Sequence, residues 1–429
     1  MNSLNFVRVH NGQLSLWQSV VSEYACTQLK AAGENISRNQ LLKHPMVKAA
    51  AAHVEAAAKG TPPDEDQLDM DDLEQCSMYL SHLGLQYALC LVEGDTERAA
   101  AIEDKYRYFS DWDPGFLKCP AIYLEYYTRY EGKFAYNDWK LLGRNIQTFG
   151  VIGENNNGQG YNLPNDAKVA IIGDWGTGLN DARALLVDII KQHSPAAIIH
   201  LGDIYYSGTP DECIDNFSRT IDEAFEIAGA ARVPVFSIPG NHDYYAMGWG
   251  YYDMVSKLNS SLGSAALQPA SYFCLRTEDQ GWQFLGMDTG LNDANPMNQL
   301  DTTYASTWLQ PNEIAWHQDK LNNFNGATIL LSHHQLFSAH AKINGSLSRY
   351  GNMPYLNPSL YETFLPYFQT KIAAWIWGHE HNFVMYQNDL LQLAKGRLVG
   401  CSAFEELQLK TPYTVQYPEI PYFRDPRTG

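Results

Sequence analysis

Five short polar stretches of this 429-residue chain carry side chains able to hold metal ions. The most telling is Gly202-Asp-Ile-Tyr-Tyr206, which follows the strand-like run Ala197-Ile-Ile-His-Leu201. Asp203 and Tyr206 stand three residues apart in the turn after that strand, with Tyr205 as the alternative phenol. A carboxylate in such a place can bridge two cations. A phenol can bind one of them, but free tyrosine titrates near ~10, so only a strongly acidic cation ionises it. The other stretches are Gly173-Asp-Trp-Gly176, Gly240-Asn-His-Asp243, Thr328-Ile-Leu-Leu-Ser-His-His334 and Ile376-Trp-Gly-His-Glu-His381. Together they offer carboxylates, imidazoles, an amide oxygen and a phenolate. That hard-to-borderline set suits iron, zinc or manganese better than thiolate-seeking metals.

Each stretch directly follows an apolar run, and these runs define the elements that must position it. Strands are expected over 168–172, 197–201, 233–238, 272–275, 282–287, 328–331, 372–377 and 397–400. Helices alternate with them. Ala182, Leu185, Leu186, Ile189 and Ile190 keep one apolar face, and after Pro210 so do Ile214, Phe217, Ile221 and Phe225. Alternating strands and helices predict α/β layers, with ligands beyond the carboxyl ends of the strands. Upstream the pattern differs. Leu73, Cys76, Leu80, Leu83, Tyr87 and Cys90, and further on Tyr123, Tyr126, Tyr127, Tyr130 and Phe134, recur by threes and fours. The expected organisation is a helical domain over 1–150, a Gly/Asn-rich linker over 151–166, a catalytic domain over 167–405 and a surface-packed tail over 406–429.

Composition narrows the function classes. Hydrophobic residues make up 45% and charged residues 18%, enough for a large core. A net charge of −18 excludes the basic footprint of a nucleic-acid surface. An acidic protein with an anionic substrate needs local positive charge, which metal ions supply. Seven scattered cysteines with no CxxC pair are expected to be reduced thiols. With no secretory signal and no apolar run long enough for a membrane span, a cytoplasmic location is expected.

Taken together, the five motifs resemble those of the purple acid phosphatases, a branch of the calcineurin-like metallophosphoesterases, over roughly residues 168–405. The resemblance implies an α-β-β-α sandwich of the metallophosphoesterase type, here with an N-terminal helical domain. It also implies two metal ions, Fe3+ with Fe2+, Zn2+ or Mn2+. Carried over, Asp174, Tyr206 and His381 would bind the first ion, Asp203 would bridge both, and Asn241, His333 and His379 would bind the second. Tyr206 fits the family's GDxxY spacing, which Tyr205 misses by one. The wider superfamily places a ligand histidine where this chain has Gly176, and the phenol makes up that ligand. The first histidine of His333-His334 fits the family's VxxH pattern. His334, His340 and Tyr205 are candidates for substrate contact.

These ligands imply hydrolysis of a small phosphorylated substrate by metal-activated hydroxide. His242 is the candidate to stabilise the transition state or protonate the leaving oxygen, with Asp243 orienting its imidazole. The leading reading is an acid phosphomonoesterase. The alternatives are a phosphodiesterase on nucleotide or lipid-headgroup substrates, and a non-catalytic scaffold. The helical region is the candidate surface for a partner or for self-association. Substrate choice is expected to lie in the loops 289–307 and 339–357.

Overall fold

The computed structural model describes residue 98 and residues 114–153, 162–296, 306–340, 342–343, 353–403, 415 and 417–423. The chain divides into two compact units, one of residues 1–121, 299–302 and 405–414, the other of 122–298, 303–404 and 415–429. Apart from Arg98, the expected helical domain up to residue 113 lies outside the described residues, as do parts of both loops expected to choose the substrate. Within the described residues no helix is long and apolar enough to cross a membrane.

The first described helix is α1 (Pro114–Arg129). Its aromatic stripe packs Tyr126 with Ala246 and Met247, flanked by Tyr123, Tyr130 and Phe134, while Tyr127 faces solvent. Residues 131–150, inside the span expected to be helical, form turns and extended chain instead. Gly132, Gly143 and Gly150 all take positive φ there, which closes turns and ends helical propagation.

Beyond this segment come β1 (Val169–Ile172), α2 (Asn180–His193) and β2 (Ala197–His200). Then α3 (Pro210–Glu212) runs through a π-helical turn (Cys213–Ser218) into α4 (Arg219–Ala228), followed by β3 (Val235–Ser237). The three strands form a parallel sheet in the order β1-β2-β3. Next are α5 (His242–Tyr245), α6 (Trp249–Lys257), β4 (Phe273–Arg276), β5 (Trp282–Gly286), α7 (Pro311–Asn322) and β6 (Ala327–Ser332). The chain continues through α8 (Pro358–Phe364), β7 (Ile372–Trp377), β8 (Phe383–Met385) and β9 (Gly396–Val399). These last six strands make a mixed sheet in the order β4-β5-β6-β7-β9-β8.

Three apolar layers hold the elements together. Ile199, Leu201, Phe236 and Ile238 of the small sheet meet Phe273, Leu275, Phe284 and Leu331 of the large one. Leu186, Ile190, Ile221, Phe225 and Val255 cover the outer face of the small sheet, at Ile172, Ile198 and Val235. Trp316, Leu321, Leu360 and Phe364 cover the large sheet at Leu285, Leu330, Trp375 and Leu398. The result is the expected α-β-β-α sandwich. Period-two alternation explains it: in β2, Ala197 and Ile199 join the inter-sheet layer while Ile198 joins the helical one. A strand buried on both faces reads as a continuous apolar run. Burying one large apolar side chain is worth ~1.5–3 kcal/mol, so these layers dominate the loop hydrogen bonds in holding the sheets together.

Two departures from the expected pattern have local causes. Ile214, expected on the buried face after Pro210, is 48% exposed, while Cys213 is buried beside Phe217. The π-helical turn adds a residue to that turn and rotates the face by one position. Strand β8 went unread because three residues give too little alternation. Irregular chain covers both edges of the large sheet. The amides of Ile152 and Leu163 donate to the carbonyls of Cys274 and Arg276, and Cys274 N donates to the Gly150 carbonyl. At the other edge Tyr386 bridges Tyr422, and Phe423 N donates to the Met385 carbonyl.

Candidate metal centre

Every expected ligand follows the carboxyl end of a strand. Asp174 follows β1, Asp203 follows β2, Asn241 follows β3, His333 follows β6, and His379 and His381 follow β7. Three of them stand at positive φ: Asp174 at 55°, Asp203 at 70° and His379 at 70°. For a non-glycine residue each such conformation costs of order 1–3 kcal/mol. The surroundings impose it, because the chain must turn sharply out of a strand and present its side chain inward. Close packing adds to this. A Cβ on Gly240 would overlap Asp203 Oδ1, and one on Gly378 would come within 2.5 Å of Asp174 Oδ2.

The donor atoms gather into two sets. In the first, Asp174 Oδ1 accepts from the Tyr205 hydroxyl at 3.2 Å and lies 3.6 Å from His381 Nε2, which is 3.0 Å from the same hydroxyl. In the second, His333 Nε2 lies 3.1 Å from Asn241 Oδ1 and 3.1 Å from His379 Nδ1. Asp203 connects the two: its carboxylate groups with Asp174 and His381, and its Oδ2 is 3.4 Å from His333 Nε2. All seven side chains are buried or nearly so. Two imidazole nitrogens 3.1 Å apart, with an amide oxygen and a carboxylate closing on them, form a donor set that fits a cation.

Supporting contacts fix which atom of each ligand faces inward. His333 Nδ1 pairs with the Leu201 carbonyl at 2.9 Å, which leaves Nε2 as the nitrogen facing the donor set. The Asn241 amide nitrogen donates to the Tyr245 hydroxyl at 2.7 Å, turning Oδ1 inward. Asp174 Oδ2 accepts the His379 amide at 2.9 Å, tying the first and last motifs together.

The electrostatics suit a cation as well. Burial alone would raise the Asp203 carboxyl, but His333 and His242 hold it well below the ordinary range. Burial works against the charged form of His333, yet Asp203 outweighs it and holds the imidazole up at about 9. Burial, with His334 and His333 alongside, pushes His379 well down, so it stays a neutral donor. Burial and Asp174 push the Tyr205 phenol well above its usual value, so without a strong Lewis acid it remains protonated.

Four of the expected site residues are placed differently from what their spacing suggests. The phenol between Asp174 and His381 belongs to Tyr205, not Tyr206. Gly202 at φ 105° and Asp203 at φ 70° swing the chain so that the second residue after the aspartate faces inward, and Tyr206 contributes its backbone. Asp243, expected to orient His242, reaches backbone amides. Its carboxylate accepts the amides of Gly240 at 2.7 Å, Asp203 at 2.9 Å and Ile204 at 3.3 Å, bracing the ligand loops, and burial holds it up at about 8. His242 Nδ1 instead meets the Tyr206 carbonyl at 2.7 Å. His334, expected as a substrate contact, is buried, packed on His379 with ring centroids 4.3 Å apart, and held by Thr289 at 3.0 Å and Asp293 at 3.2 Å. His340 sits 3.7 Å from the Glu380 carboxylate and against the Tyr422 ring, outside both donor sets.

Sequence reasoning missed Glu212, Asn216 and Tyr245. For Glu212 a signal was present, because Thr209-Pro-Asp-Glu212 has the spacing of a capping box, and the structure forms one.

The molecule also resembles proteins already known. A 25% identical relative is the glycerophosphodiester phosphodiesterase GpdQ of Enterobacter lignolyticus, matched over 217 residues. The match covers 49% of this chain and 66% of the relative, short of two thirds of its length. Among solved structures, GAP50, the anchor in the inner membrane complex of Plasmodium, is 14% identical over 58% of this chain and 75% of that one, with a TM-score of 0.38. The purple acid phosphatase PPD1 from yellow lupin (Lupinus luteus) seeds is 15% identical over 59% of this chain and 48% of its own, with a TM-score of 0.36. Phosphopantetheinyl hydrolase PptH from Mycobacterium tuberculosis is 16% identical over 61% of this chain and 97% of its own, at 0.32. A family model for the calcineurin-like phosphoesterases matches residues 167–383, just over half of the 429, and the chain belongs to that family.

Proposed function

We propose that the chain hydrolyses phosphate esters at a dinuclear metal centre and acts chiefly on monoesters. The observation that supports this is the place of Asp203 between two complete donor sets, one phenolic and one built on imidazole and amide. Asp174, Asp203, Tyr205 and His381 would hold one ion, and Asp203, Asn241, His333 and His379 the other. Two ions in such a centre polarise the phosphoryl group and lower the pKa of water. The phenol favours a trivalent ion in the first set, because only a strong Lewis acid would ionise a group whose pKa burial has raised. Two carboxylates and one phenolate then leave a trivalent–divalent pair with two net positive charges, which matches a monoester dianion. A divalent pair with a neutral phenol leaves the same charge, so charge alone does not choose the ester. The phenolic donor in the first set, the feature the motifs share with the purple acid phosphatases, supports the monoester reading.

The remaining work falls to the protein. His242 keeps Nδ1 on the Tyr206 carbonyl, so the ring exchanges a proton with the leaving oxygen through Nε2. Asp243 and the Leu201 carbonyl keep the ligand loops in register. A second reading, a phosphodiesterase, is favoured by the GpdQ relative. Parallel assays with a chromogenic monoester and the matching diester, from acid to neutral pH on metal-replete protein, separate the two. Monoester preference with an acidic optimum is expected. Diester preference overturns the leading reading, and no hydrolysis of either, with two metals bound, overturns both.

A further inference from the structure

The segment Tyr205–Thr209 serves both halves of the centre. Its first residue directs a phenol at Asp174 and His381, and its second presents a carbonyl to His242 Nδ1. A single carboxylate holds this segment from behind. Glu212 Oε1 accepts the Tyr206 amide at 2.7 Å. Glu212 Oε2 accepts the Ser207 amide at 3.1 Å and both the amide and hydroxyl of Thr209 at 2.9 Å. One helical turn on, the Asn216 amide nitrogen donates to the Tyr205 carbonyl at 2.8 Å. Residues 212 and 216 lie on one face where α3 passes into the π-helical turn. The backbone of both tyrosines is therefore held from one helix face.

Two adjacent tyrosines create a choice of ligand, since sliding the segment by one residue would bring the Tyr206 ring inward. That slide would strip the amides of Tyr206 and Ser207 from a carboxylate, and charge-assisted hydrogen bonds of this kind are among the stronger ones. We propose that Glu212, supported by Asn216, is a positioning residue that selects Tyr205 over Tyr206 as the metal ligand and in the same act holds the carbonyl that orients His242. The proposal rests on the dinuclear reading above and goes beyond it, because nothing in the ligand motifs requires a glutamate at this position.

The test uses the full chain loaded with Fe3+ and follows the phenolate-to-iron absorption band, the metal content, and kcat and KM separately. In the parent protein, Tyr205→Phe is expected to remove the band and Tyr206→Phe to keep it. Glu212→Ala is expected to shift or weaken the band, and Tyr205→Phe made on top of it no longer abolishes the band, because Tyr206 now reaches the ion. It should also lower kcat about tenfold or more with a smaller change in KM, in keeping with the cost of slight misplacement at a reacting centre. Phe225→Ala, in the apolar layer between α4 and the small sheet, is the control for a purely structural role: it lowers Tm while leaving the band and kcat in place. If Glu212→Ala fails to fold, Glu212→Gln, which keeps one acceptor oxygen and places an N–H₂ against the other amides, is read the same way. A coloured, hydrolytic parent whose Glu212 variants keep the parent's band and kcat overturns this proposal alone. A parent that takes up no metal overturns the dinuclear reading and the proposal with it.

Discussion

Replacing Glu313 by glutamine should flatten the alkaline loss of stability. Glu313 is fully buried in α7 and, together with Asp288 after β5, forms a pair of carboxyl groups sealed from water. Its Oε1 accepts the Asp288 amide at 2.8 Å, its Oε2 lies 3.2 Å from the Tyr136 hydroxyl, and Asp288 Oδ2 accepts the Tyr244 hydroxyl at 2.5 Å. Burial pushes Glu313 from 4.5 to about 8, and burial together with the Glu313 charge pushes Asp288 from 3.8 to about 7. Each group binds its proton more tightly folded than unfolded. Stability is therefore full below the unfolded values near pH 4 and is lost as pH rises towards 7 and 8. At about 1.4 kcal/mol per pH unit, ionising Glu313 in place costs of order 5 kcal/mol once pH exceeds 8. Burial pushes the neighbouring His317 down to about 3, so it stays neutral throughout and adds nothing to this window. Glutamine keeps the shape and one acceptor oxygen but cannot ionise, and it removes the charge that raises Asp288. Urea unfolding followed by tryptophan fluorescence at several pH values from 5 to 9 should show the variant falling by ~3–5 kcal/mol less than the parent. Both proteins must carry the same metal load, so that the ionisations of the site contribute equally to the two profiles. Identical pH slopes would refute the idea that this pair is held protonated.

Three further outcomes are expected. His242→Ala should keep both metals and lose about 10²–10⁴ in kcat, the usual worth of a positioned proton donor; unchanged turnover would remove His242 from the mechanism. Gly240→Ala should displace the bridging carboxylate, because the new Cβ would overlap Asp203 Oδ1 and come within 2.8 Å of His333 Cε1; metal analysis finding two ions still bound would contradict the placement of Asp203. Ile214→Ser should change stability by less than about 0.5 kcal/mol while Phe217→Ala costs about 3–5 kcal/mol, and equal effects in denaturant unfolding would contradict the π-helical rotation.

How far the sequence reached depended on the range of the interaction. The strand ends that carry the candidate ligands were legible because an apolar run and the polar turn after it are neighbours in the chain. Asp174, Asp203, Asn241, His333, His379 and His381 all fall where such turns place them. The choice between Tyr205 and Tyr206 was not legible by spacing, since it depends on the sharp turn at Gly202-Asp203 and on a carboxylate that reaches back along the chain. Asp243 read as a partner of His242 because they are adjacent, yet its acceptors' donors are amides 3, 39 and 40 residues away. The Asp288–Glu313 pair has no local signature at all, its members standing 25 positions apart.

The chain that borders the large sheet has a consequence for how the protein can be divided. A row of unpaired amides and carbonyls at a sheet edge is a template for another molecule's strand. Here Gly150–Ile152 and Leu163 occupy the edge at β4, and Tyr422–Phe423 occupy the edge at β8, where Phe383 and Met385 already face solvent. A fragment cut at residue 167, where the family match begins, would keep every metal ligand and still lose the cover of one edge. Such a fragment would be prone to add strands from its own copies and aggregate. The irregular segments before and after the five motifs thus act as guards against intermolecular β-pairing, and a minimal version of this chain has to include them.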